Sequence, residues 1–353
     1  MEKKNRRHFL KIMATLPAAV FTKGLFSGQD ANARNLSNHN LMHKNAGSYT
    51  PGYVRLHESG ELKKRGESLY NMMESCTLCP RECGTDRLSG QRGHCNANAT
   101  LEISSANPHY GEERELVGSR GSGTIFFTNC GLLCVFCINY EISHGGQGRE
   151  YSTGDLADIM LALERNGCHN INVVTPSHYS PHILLALDEA ASRGLRAPLV
   201  YNTCGWEKEN ILKYLDGVVD IYLADFKYMD AEAAGTYSPG ADCYPEVTQK
   251  ALLEMHRQTG VAEADPETGL IYKGLMIRHL VMPENVARSD RVIRWISANL
   301  PKNTYVNIMS QYTPMYKASD YPEISRRITR SEYNNVVTIA RQEGLTNLRL
   351  QMQ

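Results

Sequence analysis

The chain has 353 residues, with 38 basic and 38 acidic side chains balancing to a formal charge of zero. That balance argues against a general polyanion-binding surface, so nucleic acid is not an expected partner. Hydrophobic residues make up 42% of the chain, enough for a large core, yet no apolar run reaches the ~18 residues of a membrane span. No mature transmembrane segment is therefore expected. Ten cysteines are far too few for a disulfide scaffold, so their spacing carries more information than their number.

The N-terminus reads as a targeting segment. Lys3, Lys4, Arg6 and Arg7 precede Phe9-Leu10-Lys11, an apolar run from Ile12 to Phe21 and a small-residue site at Ala31-Asn32-Ala33. A basic start, a short apolar segment and an A-x-A site describe an export signal. The Arg-Arg-x-Phe-Leu-Lys order resembles the twin-arginine type, which implies a periplasmic or otherwise extracytoplasmic location. If the signal is not used, the protein stays cytoplasmic. Residues 1–33 are accordingly set apart as signal, and residues 34–69 as a linker with a short helix. The stretch from Asn35 to Gly52 is rich in Asn, Ser, His and Gly, without apolar periodicity.

Residues 70–110 form a cysteine-rich segment. Cys76, Cys79, Cys83 and Cys95 stand at C-x2-C-x3-C-x11-C spacing, with Pro80 and several glycines between them. Four thiols this close can hold zinc or an iron–sulfur cluster, and in an oxidising compartment they can instead pair as two disulfides. C-x2-C spacing suits chelation better, so a second metal site is the preferred reading.

Beyond residue 110, strands and helices alternate. Short β-rich runs occur at Thr124–Thr128, Asn170–Thr175, Pro198–Thr203, Asp220–Asp225, Leu275–Val281 and Thr304–Met309. Between them lie helical patterns. Leu156, Ile159, Met160 and Leu163 share one face, with Ser152 and Asp155 as a capping-box start and Gly167 as a stop. Further helices are predicted over His182–Arg193, Glu207–Asp216, Tyr244–Thr259, Ser289–Asn299 and Ser331–Glu343. Such alternation implies an α/β fold with a parallel sheet. Six units are fewer than the eight of a closed barrel, so a partial barrel is expected over 111–353, with functional groups at the C-terminal ends of its strands.

The strongest chemical signal follows the first of these strands. Cys130, Cys134 and Cys137 stand at C-x3-C-x2-C spacing on one loop. Three thiolates can close around a metal centre, whereas disulfide pairing leaves one over. Cysteine is the usual ligand of iron–sulfur clusters, and three ligands leave one iron open.

A C-x3-C-x2-C loop after the first strand of a partial (βα)6 barrel resembles the radical S-adenosylmethionine superfamily. More narrowly, it resembles poorly characterised relatives of the pyruvate formate-lyase activating enzyme. The resemblance spans about residues 70 to 350 and includes Cys76-Thr-Leu-Cys-Pro-Arg-Glu-Cys83, Gly121–Phe127, Val135–Ser143, Val174–His178, Tyr222–Tyr228, Arg278–Pro283 and Val306–Tyr312. It implies that Cys130, Cys134 and Cys137 hold a [4Fe-4S] cluster with S-adenosylmethionine on the open iron. Phe136 fits the family's aromatic position against the adenine. Where many members carry Gly-Gly-Glu, this chain has Thr175-Pro-Ser-His178, so Thr175 or Ser177 would receive the cofactor's amino group. Asp225-Phe-Lys227 resembles the Asp-x-Lys pair that activating enzymes place around the cofactor, and Arg278 fits the position that meets its carboxylate. An electron donor such as a flavodoxin or ferredoxin is implied, together with a protein substrate carrying a reactive glycine.

Independently of any family, two residues two apart on a strand face the same way, as Asp225 and Lys227 would, while Arg278 and His279 face opposite ways. His178 is either a substrate-side acid or base or a hydrogen-bonded loop residue. Cys168, Cys204 and Cys243 show no ligand spacing and read as structural, with Cys204 also near the expected pocket. The activity that the resemblance implies is reductive cleavage of S-adenosylmethionine and hydrogen abstraction from an unidentified substrate. The alternative is an exported iron–sulfur protein that binds or transfers electrons without cleaving the cofactor.

Overall fold

A computed structural model describes residues 49–351 of the chain. The expected export signal and residues 34–48 of the expected linker lie outside those residues. Two helices come first, α1 (Gly52–Glu58) and α2 (Glu61–Asn71). Gly66 lets α2 approach another helix closely, since a β-carbon there would sit 2.9 Å from a Leu185 methyl.

The fold is α/β, built on a mostly parallel, open sheet of ten strands. Strand β1 (Leu101–His109) runs antiparallel between β2 (Ser122–Phe127) and β3 (Arg149–Tyr151). From β2 onward, β4 (Ile171–Val174), β5 (Leu199–Thr203), β6 (Ile221–Asp225), β8 (Ile271–Leu280), β9 (Tyr305–Met309) and β10 (Leu348–Leu350) all run parallel. The two-residue β7 (Glu263–Ala264) pairs antiparallel to β8. The end strands β10 and β3 do not pair with each other.

All six predicted strands are present. The long β1 escaped the sequence reading because its second half is exposed and polar, without apolar alternation. The helix expected from Ser152 is α5 (Thr153–Arg165), and its capping box forms in both directions. Helices α6 (Ser180–Ser192), α9 (Tyr244–Thr259), α10 (Ser289–Asn299) and α11 (Arg330–Gln342) match their expected ranges closely. The helix expected over 207–216 shrinks to α7 (Glu209–Leu212) and a 3-10 turn at Lys213–Leu215. Its first residue is diverted, because the Glu207 side chain turns inward to hydrogen-bond Ser177 and Thr203. Shorter helices α3 (Arg114–Val117), α4 (Tyr140–Ser143) and α8 (Ala231–Tyr237) fill connections.

Both faces of the parallel strands are buried, which accounts for their continuous apolar runs. On one face Leu199, Tyr201, Tyr222, Ala224, Ile277 and Ile308 join the main core. On the other, Val200, Ile221, Leu223, Met276 and Tyr305 pack around Leu116 of α3. One step of alternation further along the same strands brings Asn202, Asp225, Arg278 and Asn307 onto that second face. A polar layer thus sits directly beyond a small apolar plug, toward the C-terminal strand ends.

Candidate functional site

The three-cysteine loop leaves β2 through Asn129, whose φ of 69° turns the chain, and Leu133 repeats a left-handed conformation at 56°. Cys134 is buried, and Cys130 and Cys137 are half-buried. Two of the three sulfurs have a side-chain hydrogen-bond partner. Ser238 Oγ donates to Cys134 Sγ at 3.2 Å, and Ser143 Oγ lies 3.2 Å from Cys137 Sγ. Cys130 Sγ accepts from the Leu132 amide at 3.4 Å. Burial pushes the Cys134 thiol up to about 12.

The loop is braced from behind. Glu102 accepts from Asn129 Nδ2 at 2.8 Å and Thr128 Oγ1 at 3.1 Å, and pairs with Arg92 at 2.8 Å. His178 donates its Nε2 proton to the Thr128 carbonyl at 2.8 Å, and its burial pushes its pKa down to about 3. It is therefore a neutral brace for the loop, the second of the two roles open to it on sequence. A buried, neutral imidazole bound to a backbone carbonyl is a poor proton donor to substrate.

Asp225 and Lys227 do share a side, with Lys227 Nζ 2.6 Å from Asp225 Oδ2. The other carboxylate oxygen accepts from Arg278 Nε at 2.9 Å. Arg278 also reaches Glu112 at 3.1 Å and Asn202 Oδ1 at 2.5 Å. Burial alone would push the Asp225 pKa up, but the Lys227 and Arg278 charges outweigh it and hold the carboxyl below its ordinary value. Burial likewise opposes charge on Lys227, and the Asp225 carboxylate reverses that. Lys227 in turn favours the thiolate forms of Cys130, Cys134, Cys137 and Cys204, so one ammonium acts on all four sulfurs. His279 points to the opposite face, between the Phe226 carbonyl and Ser289, as alternation requires.

Thr175 follows β4 at φ 56°, a strained conformation for a β-branched residue, and its amide bonds the Asn202 carbonyl at 2.9 Å. Ser177 Oγ donates to Glu207 Oε1 at 2.5 Å, as does Thr203 Oγ1 at 2.5 Å. Glu207 is buried, its Oε2 has no partner, and burial pushes its pKa up from 4.5 to about 7. Phe136 is buried edge-on to Tyr228 and Tyr312, with centroids 6.3 and 5.9 Å away.

The second cysteine segment packs against the first. Burial pushes the Cys79 thiol up to about 12, and the nearby Cys95 and Cys76 thiols push the same way. Arg87 Nη1 donates to Cys76 Sγ at 3.8 Å. Arg81, between them in sequence, donates to the Gly131 carbonyl at 3.0 Å and the Leu132 carbonyl at 3.4 Å, and stacks over Trp206 at 4.6 Å. Fully buried Arg87 donates to the Asn98 and His178 carbonyls at 2.7 and 2.9 Å. Among the described residues, no group of three or more His, Cys, Asp or Glu side chains closes around a single metal ion as it stands. A cleft lined by Arg114, Glu115, His169 and Arg349 opens at the opposite, N-terminal ends of the strands and includes none of the expected site residues.

Glu112, Asn202 and Glu207 were not singled out on sequence, because nothing in their neighbours marks them. Asn202 alone had a usable signal, its position at a predicted strand end.

These features define an α/β protein with an open, mostly parallel sheet, a cysteine loop and a buried ion network gathered at the C-terminal strand ends. No family model matches the sequence. The chain is 31% identical over 283 residues to an uncharacterized protein of Methanocaldococcus jannaschii, across 78% of this chain and 77% of that protein. The chain belongs to the same family as that archaeal protein. No helix among the described residues is long and apolar enough to cross a membrane.

Proposed function

We propose that this protein is a radical S-adenosylmethionine enzyme of the activating-enzyme type, its parallel strands forming a partial (βα)6 barrel. The observation that carries this reading is that the three-cysteine loop after β2 and the Asp225–Lys227–Arg278 network at the ends of β6 and β8 lie at the same, C-terminal end of the parallel strands, where the Lys227 charge favours the thiolates. The donor set fits the group: three soft sulfur ligands on one loop suit a [4Fe-4S] cluster with an open iron. When bound, such a cluster and S-adenosylmethionine supply one-electron cleavage to methionine and a 5′-deoxyadenosyl radical, which takes a hydrogen atom from substrate.

The chain's own residues supply binding, orientation and exclusion of water. Cys130, Cys134 and Cys137 hold the cluster. Asp225 keeps Lys227 and Arg278 charged and fixed in direction, so that the cationic edge of the network can receive a carboxylate. Ser177, whose proton is committed to Glu207, presents oxygen lone pairs to an ammonium group. Thr175 stands beside it. Phe136 offers an aromatic edge next to the third ligand. Cys76, Cys79, Cys83 and Cys95 form a second metal site, iron–sulfur or zinc, which metal analysis of a Cys76→Ala variant would distinguish. A flavodoxin or ferredoxin delivers the electron, a protein glycine is the substrate class implied by resemblance, and the N-terminal signal directs the protein out of the cytoplasm.

The deciding experiment is anaerobic reconstitution of the full chain with iron and sulfide, followed by dithionite and S-adenosylmethionine. 5′-Deoxyadenosine is expected from the native chain and not from Cys134→Ala. A cluster that forms without product would favour the exported electron-transfer alternative.

A further inference from the structure

Building on the reading of Cys76, Cys79, Cys83 and Cys95 as a second metal site, we propose that Arg87 is the positioning residue and fixed counter-charge of that site. Its buried guanidinium offsets the negative charge that the cysteine ligands carry once they hold a metal, and it locks the ligand segment against the rest of the fold.

Arg87 is a buried cation with no carboxylate beside it. It is 0% exposed. Its Nε and Nη2 donate to the Asn98 carbonyl at 3.2 and 2.7 Å, Nη2 also donates to the His178 carbonyl at 2.9 Å, and Nη1 donates to Cys76 Sγ at 3.8 Å. Among the described residues, these partners are two carbonyls and one sulfur. Arginine stays protonated in proteins, so a full positive charge sits in the interior. Carbonyl hydrogen bonds satisfy its protons without balancing that charge, and an unbalanced buried charge is costly. Arg278 solves the same problem with two carboxylates, Asp225 and Glu112. The one partner of Arg87 that can become an anion is the Cys76 sulfur.

The segment leaves room around its sulfurs. A β-carbon at Gly93 would stand 3.3 Å from Cys83 Sγ and 3.8 Å from Cys95 Sγ, so only a glycine keeps that space open without displacing a sulfur. The Gly93 amide donates to the Ala97 carbonyl at 3.0 Å and the Asn96 amide to the Gly93 carbonyl at 2.8 Å, in a tight turn with Asn96 at φ 64° that folds Cys95 back. Arg87 closes the two ends of the segment on each other. Its amide donates to the Met73 carbonyl at 2.8 Å, ahead of Cys76, and its carbonyl accepts from the Ala99 amide at 3.2 Å, beyond Cys95. The His178 carbonyl then joins both ends to the turn that precedes α6.

Metal binding removes the protons of ligating thiols. Four thiolates around a divalent metal or an iron–sulfur cluster leave an excess of negative charge. A cation fixed against one ligand offsets that excess and orients the ligand it touches.

The test uses the full chain carrying Cys130→Ala, Cys134→Ala and Cys137→Ala, so that only the second site reports. Cobalt(II) is titrated against a competing chelator and followed by its visible absorption in a tetrahedral thiolate site, with melting temperatures measured for the metal-free and loaded chains. Two substitutions of Arg87 are compared. Arg87→Gln keeps a donor and loses the charge, whereas Arg87→Lys keeps the charge. Arg87→Gln is expected to bind cobalt(II) about 10–100-fold more weakly and to gain less melting temperature on loading, with Arg87→Lys much closer to the chain that retains Arg87. Equal affinities in Arg87→Gln and Arg87→Lys, with melting temperatures lowered alike with and without metal, would make Arg87 a bracket for carbonyls alone; that result overturns this inference and leaves the second site standing. A chain that retains Arg87 and takes up no cobalt(II) overturns the reading of the second site, and this inference with it.

Discussion

Asp225 holds two buried cations through its two oxygens, so its removal leaves Lys227 without its carboxylate and Arg278 with Glu112 alone. Breaking a buried pair from one side costs about 3–5 kcal/mol. Asp225→Ala is expected to lose stability on that scale in urea unfolding, against a much smaller loss for exposed Asp158→Ala, whose pair with Arg193 lies at the surface. Glu207 gives a pH signature. Its folded carboxyl, at about 7, binds a proton more tightly than the ordinary 4.5 of the unfolded chain. The resulting stabilisation is complete below pH 4.5 and lost as pH rises through 7, at up to about 1.4 kcal/mol per unit between them. Unfolding at pH 5 and pH 8 should therefore show a steeper decline for the native chain than for Glu207→Gln; parallel declines would refute a buried, protonated Glu207.

At the scale of elements, the ends of β5 and β6 are joined by the Tyr244 hydroxyl, 2.8 Å from the Cys204 carbonyl and 3.0 Å from the Asp225 carbonyl. Gly205→Ala must force the β5 end away from the Asp225 carbonyl and adopt a left-handed backbone at a residue with a side chain. It is expected to reduce both the melting temperature and the iron retained after reconstitution, with a loss that mild stabilising conditions do not fully reverse. The start of α5 behaves differently. Ser152→Ala removes a reciprocal capping box and should cost about 1 kcal/mol while leaving iron content unchanged, because that helix end is exposed and away from the cysteines. Iron loss in that variant would contradict the separation of scaffold from site.

In the whole molecule, one end of the parallel strands carries the cysteine loop, the ion network and the packed cysteine-rich segment, while the apolar plug around Leu116 lies behind them. Leu116→Ala should open a cavity worth about 2–5 kcal/mol in thermal unfolding. Arg81 joins the two cysteine segments through the Gly131 and Leu132 carbonyls, so Arg81→Ala is expected to loosen both together. Much of this arrangement was legible beforehand. Strands were readable from β-branched runs because both sheet faces are buried, and α5 from its capping residues. Strand β1 was not, because an exposed strand beside a sheet needs no apolar alternation.

By itself, the sequence determined what is local: the parallel strand–helix alternation, the shared side of Asp225 and Lys227, the opposed directions of Arg278 and His279, and the three-thiol loop. Each follows from spacing along one element, where backbone periodicity fixes direction. Only the tertiary structure decided which distant groups complete the site. Glu112 reaches Arg278 across 166 positions, and Ser238 reaches Cys134 across 104. His178 became a brace rather than an acid because a neighbouring loop buried it. Tyr244, unmarked in the sequence, joins the Cys204 and Asp225 carbonyls because its helix packs across the ends of β5 and β6.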